Sequence, residues 1–95
     1  MVKSIVKSEQ QIQKEITKYL EGKGYYVVKI VRANKSGVPD ILFCKDGAFC
    51  AIEVKRKGKK SKVTELQRIH LEQITASGGR ALVADELSDV IEEGF

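Results

Sequence analysis

Histidine and proline each occur once in this chain and cysteine twice, and there is no tryptophan. One histidine and no Cys-x-x-C pair leave a structural zinc site without a ligand set. Cys44 and Cys50 follow no secretory signal, so free, buried thiols are expected rather than a disulfide. No apolar run approaches the roughly 18–20 residues that cross a bilayer, and the N-terminus lacks an apolar h-region. These absences predict a soluble cytoplasmic protein with no membrane contact and no small-molecule cofactor.

At 95 residues the chain is expected to form one domain, 1–95, with a core small enough for association to contribute to its stability. A hydrophobic fraction of 42% is that of an ordinary globular protein. The net charge of +4 is unevenly spread, because Lys55, Arg56, Lys57, Lys59, Lys60 and Lys62 form one basic run. Such a run is most often a solvated loop, but it is also the footprint of a polyanion.

The most informative segment lies just before that run. Gly37-Val38-Pro39-Asp40 leads into Ile41–Lys45, then Asp46-Gly47, then Ala48–Ile52, then Glu53-Val54-Lys55. Two apolar runs around an Asp-Gly dipeptide read as a β-hairpin with a two-residue turn. That register pairs Lys45 with Ala48 and sets Asp40 opposite Glu53. Opposed side chains on one sheet face have Cβ atoms about 4.5–5.5 Å apart, where two carboxylates repel unless a positive charge lies between them. A divalent cation would meet that need, and Lys55 would point to the same face as Glu53. Both faces of the hairpin are otherwise apolar, so it is expected inside a covered sheet, with Cys44 and Cys50 on opposite faces.

Ser8-Glu9-Gln10-Gln11 has the spacing of a capping box and opens a helix through Ile12, Ile16, Tyr19 and Leu20, which Gly22 and Gly24 end. Tyr25 to Val31 suits a strand, with one of Tyr25 and Tyr26 in the core and the other at the surface. Thr64-Glu65-Leu66-Gln67 opens a second helix, stopped at Gly78-Gly79. Arg80 to Ala84 reads as a short buried strand, and Asp85 as the cap of a brief helix containing Leu87, Val90 and Ile91. His70 reads as a helix-packing or surface residue. The order is α-β-β-β-α-β-α, an α/β fold with a mixed central sheet flanked by helices.

A Pro-Asp at the start of the second strand and Glu-x-Lys in the third resemble the PD-(D/E)xK nuclease superfamily and its restriction-endonuclease-like fold. Glu9, Gln13, Gly37-Val38-Pro39-Asp40, Ala51-Ile52-Glu53-Val54-Lys55, Gln67 and Gly78-Gly79 together resemble the VRR-NUC family, over about residues 8 to 91. That resemblance implies a Mg²⁺- or Mn²⁺-dependent DNA endonuclease, of the stand-alone phage or bacterial type that is similar to Holliday-junction resolvases and works as a homodimer. It implies Asp40 and Glu53 as metal ligands, the Val54 carbonyl as a further ligand, and Lys55 at the attacking water or the phosphate. Glu9 and Gln67 carry over as supporting catalytic residues. Glu9 equally suits the positive end of its helix, and Gln13, one turn on, is the alternative first-helix residue.

Arg32, Lys35, Lys57, Lys59 and Lys60 are the candidates for holding flanking DNA phosphates, by shape rather than sequence. The preferred expectation is a dimeric enzyme that nicks a four-way junction in pairs, with Val90, Ile91 and Phe95 as candidates for the dimer contact. A nickase or flap nuclease dependent on a partner, and a non-catalytic DNA-binding module, are the alternatives.

Overall fold

The computed structural model describes residues 6–95, which run α1 (Glu9–Gly22), β1 (Tyr26–Lys29), β2 (Ile41–Lys45), β3 (Ala48–Val54), α2 (Glu65–Ala76), β4 (Arg80–Ala84) and α3 (Leu87–Glu92). The element order is the expected one, with a 3-10 turn over Lys60–Lys62 added in the basic connection. Asp46 and Gly47 both have positive φ, 50° and 78°, the combination a two-residue type I′ turn requires. Lys45 therefore faces Ala48, and the ladder continues to Ile41 facing Ile52. β1 pairs antiparallel with β2, whereas β4 joins β3 in parallel after the α2 crossover, giving the sheet order β1-β2-β3-β4.

Both capping boxes form. Ser8 and Thr64 accept the backbone N–H of Gln11 and Gln67 through their hydroxyls, and those glutamines accept the N–H of Ser8 and Thr64 in return. Ile12, Ile16 and Leu20 recur every fourth residue on α1, so they share one face and bury it against Ile41, Phe43, Cys50, Ile52 and Val54. Each such fully buried side chain contributes about 1.5–3 kcal/mol.

On the opposite sheet face α2 packs against β3 and β4. Two glycines make that packing close. A Cβ on Gly79 would lie 2.7 Å from the Phe49 carbonyl oxygen, and one on Gly37 would lie 2.8 Å from Leu66 Cγ. Gly37 also has φ of 83°, which favours glycine. The loop that delivers Pro39-Asp40 is thereby pressed against the first turn of α2.

Five expectations need correction. The first strand is shorter than 25–31, spanning only Tyr26–Lys29. The hairpin is not covered on both faces, because the twelve-residue α2 shields Ala51 and Glu53 but leaves Phe49 and Cys44 exposed beside Tyr26. Only Cys50 is a buried thiol. Asp85 does not cap α3; Glu86 occupies that position without a side-chain bond, while Asp85 is buried and accepts the Gly58 N–H at 2.8 Å.

The fifth concerns the C-terminal residues. Val90 and Phe95 are buried, and only Ile91 is exposed. The Phe95 ring meets Phe43 edge-on at 4.9 Å, the Arg80 guanidinium lies 4.2 Å from its centroid, and its backbone oxygen accepts the Tyr25 hydroxyl. Val90 and Phe95 are thus spent on the internal core and do not form a free dimer surface. Tyr25 is the half-buried member of its pair and Tyr26 the exposed one. Phe95→Ala is expected to lower the unfolding free energy by about 3–5 kcal/mol in a urea titration; a loss below about 1 kcal/mol would contradict the packing described.

Candidate active site

The antiparallel ladder of β2 and β3 stops at Ile41–Ile52, so Asp40 sits one position beyond it. Its backbone oxygen accepts the Ile30 N–H at 2.8 Å, and its Oδ2 accepts the Val54 N–H at 2.8 Å. Pro39, fully buried, fixes the approach. Asp40 is therefore held by backbone on two sides, with its carboxylate turned across the end of β3.

Glu53 alternates with the core residues Ile52 and Val54, so its side chain leaves the sheet on the α2 face. It is only 2% exposed. Its Oε2 accepts Gln67 Nε2 at 3.2 Å and lies 3.7 Å from Lys55 Nζ, whereas its Oε1 is buried with no hydrogen-bond partner. Burial pushes the Glu53 carboxyl up from 4.5 to about 8; the neighbouring Asp40 carboxylate adds to the rise, Lys55 opposes it, and the Glu9 charge adds a smaller increment. Asp40 and Glu53, opposed in the expected hairpin register, thus lie close enough for the Asp40 charge to act on the Glu53 carboxyl.

Lys55 and Gln67 complete the group. Lys55 Nζ donates to Gln67 Oε1 at 2.8 Å, and that same oxygen accepts the Thr64 N–H of the capping box. One glutamine thus starts α2 and joins the lysine to the glutamate. An ammonium has three donors, so Lys55 keeps hydrogens for another acceptor. Glu9, half-buried in the first turn of α1, reaches the group through its charge on Glu53, while Gln13 one turn on is buried. Val54 has its side chain in the core and offers the site only its backbone. His70 has a structural partner the sequence did not reveal, the Ser36 carbonyl at 2.9 Å, which ties α2 to the loop before Gly37.

The basic connection is not all free. Lys57 pairs with Glu86, and Lys60 with Asp89 at 3.3 Å. Arg32, Lys35 and Lys59 are exposed and, among the described residues, have no ion pair within 4.0 Å. Asp85, Glu86 and Asp89 form an acidic group with one oxygen of each within 4.8 Å of the others. Nothing in the sequence flagged these contacts, which join segments nearly thirty residues apart and follow from the turn of the chain after β4.

The buried Glu53, the half-buried Asp40, a lysine two residues after the glutamate and a helix-borne glutamine thus gather at the end of the mixed sheet as the candidate active site. The VRR-NUC domain model matches residues 3–85, and the chain belongs to that family of PD-(D/E)xK nucleases. A solved structure described as a VRR_NUC domain is similar in sequence and fold, with 27% identity and a TM-score of 0.74 over 88% of this chain and 90% of that one. No curated protein matches the chain. Among the described residues no helix is long and apolar enough to cross a membrane.

The raised Glu53 value sets a pH dependence. Between about 4.5 and about 8 the metal-free native state keeps a proton that the unfolded state has lost, so stability falls as pH rises through that window. Thermal melts in chelator are expected to show Tm declining across it, and Glu53→Gln is expected to flatten the decline; an equally steep decline in the variant would contradict the assignment.

Proposed function

We propose that this protein is a Mg²⁺- or Mn²⁺-dependent endonuclease that cuts branched DNA, acting on four-way junctions as a homodimer with one site per strand. The observation that carries the reading is the buried, unpartnered Glu53 Oε1 beside the Asp40 carboxylate. An all-oxygen donor set of this kind fits a hard divalent cation better than zinc. Asp40, Glu53 and the Val54 carbonyl would hold it, and when bound it supplies an activated water and a polarised phosphate.

The chain's own groups do the rest. Lys55, 12% exposed at its side chain and anchored by Gln67, presents its remaining N–H donors to the attacking water and to the charge that grows on the phosphate oxygens. Gln67 positions both Lys55 and Glu53 and touches neither water nor phosphate. Glu9 adds negative charge at the rim, which favours cation binding. Water attacks phosphorus, the bond to one bridging oxygen breaks, and that oxygen leaves with a proton. Arg32, Lys35 and Lys59 hold the flanking backbone, joined by Lys57 once DNA phosphates displace Glu86, an exposed pair that contributes little, and by Lys60 once they displace the more sheltered Asp89.

A two-fold dimer matches the two-fold symmetry of a four-way junction. With Val90 and Phe95 inside the core, the apolar row Tyr26, Cys44 and Phe49, aligned across three strands and exposed, becomes the surface for the second copy. Sedimentation is expected to show a dimer at micromolar concentration; a monomer that makes only single nicks would favour the partner-dependent nickase.

The chemistry is tested with labelled duplex, flap and four-way DNA, with and without Mn²⁺. Asp40→Asn and Glu53→Gln are each expected to lower the cleavage rate at least as much as removing a single stabilising group does, about 10²–10³-fold, while DNA binding persists. Lys55→Ala should lose cleavage and still bind the cation. Near-normal cleavage by either carboxylate variant would overturn the assignment.

A further inference from the structure

The loop after β3 carries the densest basic run of the chain, yet two of its lysines are engaged by α3 and its N-cap. Free ammonium groups gather elsewhere. Lys14 and Lys18 stand one turn apart on α1, and Lys29 at the end of β1 lines the same surface groove, of about 490 Å³, together with Gln10, Thr17 and Glu21. All three lysines are exposed, and among the described residues none has a carboxylate within 4.0 Å.

Local helix chemistry does not account for this. Like charges four residues apart on a helix repel. Neither Lys14 nor Lys18 lies in the last turn of α1, where the helix dipole would favour a cation. Glu21, the one carboxylate lining the groove, pairs with neither of them. The groove lies near the site already described, because Lys29 faces Ile41, the residue after Asp40, across the β1–β2 ladder, and Gln10 lines both the groove and a neighbouring cleft of about 320 Å³ shared with Ser8, Glu9 and Arg56. Glu9 is the residue whose charge reaches Glu53.

We propose that the groove between α1 and β1, with Lys14, Lys18 and Lys29, is a phosphate-backbone contact surface that carries the nucleic-acid strand leaving the Asp40–Glu53 site on the α1 side. The inference rests on the nuclease reading and extends it, since it assigns a DNA path on the side of the sheet away from α2. Three ammonium groups on flexible stems suit a run of phosphates rather than base edges, so the contact is independent of sequence.

The test is the salt dependence of DNA binding by the full chain in chelator, where no cleavage occurs, using duplex and four-way DNA. Each phosphate contact contributes about 0.9 to the slope of log affinity against log salt, so the triple change K14A/K18A/K29A is expected to flatten the slope by up to about 2.7. The charge-keeping triple K14R/K18R/K29R should retain the wild-type slope, and thermal melts of both variants report folding. A wild-type slope in a folded alanine variant would overturn the proposed path and leave the nuclease reading standing. Failure of the wild-type protein to bind either DNA would overturn the nuclease reading and the path with it.

Discussion

A carboxylate that is 2% exposed, with one oxygen lacking any partner and a second carboxylate beside it, is the constraint around which this structure is arranged. Buried charge of this kind is costly, and it persists only where the surrounding structure holds it. Here the holding is done by elements far apart in sequence. The Val54 N–H fixes Asp40, the α2 capping box aims Gln67 at Glu53 and Lys55, and Gly37 lets the Pro39-Asp40 loop press against α2. Each contact has a separate structural reason, and all converge on one pair of oxygens.

That convergence explains the economy of Gln67. Its Oε1 accepts both from the helix cap and from Lys55, while its Nε2 donates to Glu53. Capping and site support are therefore one arrangement, not alternatives. Removing the side chain would loosen the start of α2 and free both charged residues together, so its effects on stability and on rate would not separate as they do at Lys55.

Much of this is legible in the sequence, for identifiable reasons. The Asp46-Gly47 turn dictates the hairpin register by backbone sterics alone, and the register brings Asp40 to Glu53. Capping boxes and fourfold spacing of Ile12, Ile16 and Leu20 are local signals. What stayed hidden depends on tertiary return of the chain. Phe95 folds back on Phe43 across fifty residues, Asp85 turns from a helix cap to the Gly58 N–H, and Lys57 and Lys60 find α3. Coverage of the sheet is not legible in the sequence, because apolar alternation tells which residues prefer burial, not whether a helix is long enough to cover them. Phe49 and Cys44 are left exposed for that reason.

On the proposed function Asp40 and Glu53 together hold a hard divalent cation. Anomalous diffraction from crystals of the protein grown with Mn²⁺ measures it directly. The account predicts a manganese peak in contact with carboxylate oxygens of both residues, at oxygen distances close to the roughly 2.0–2.2 Å of small hard cations. Manganese found only at Asp85, Glu86 and Asp89, or at no acidic group, would contradict it.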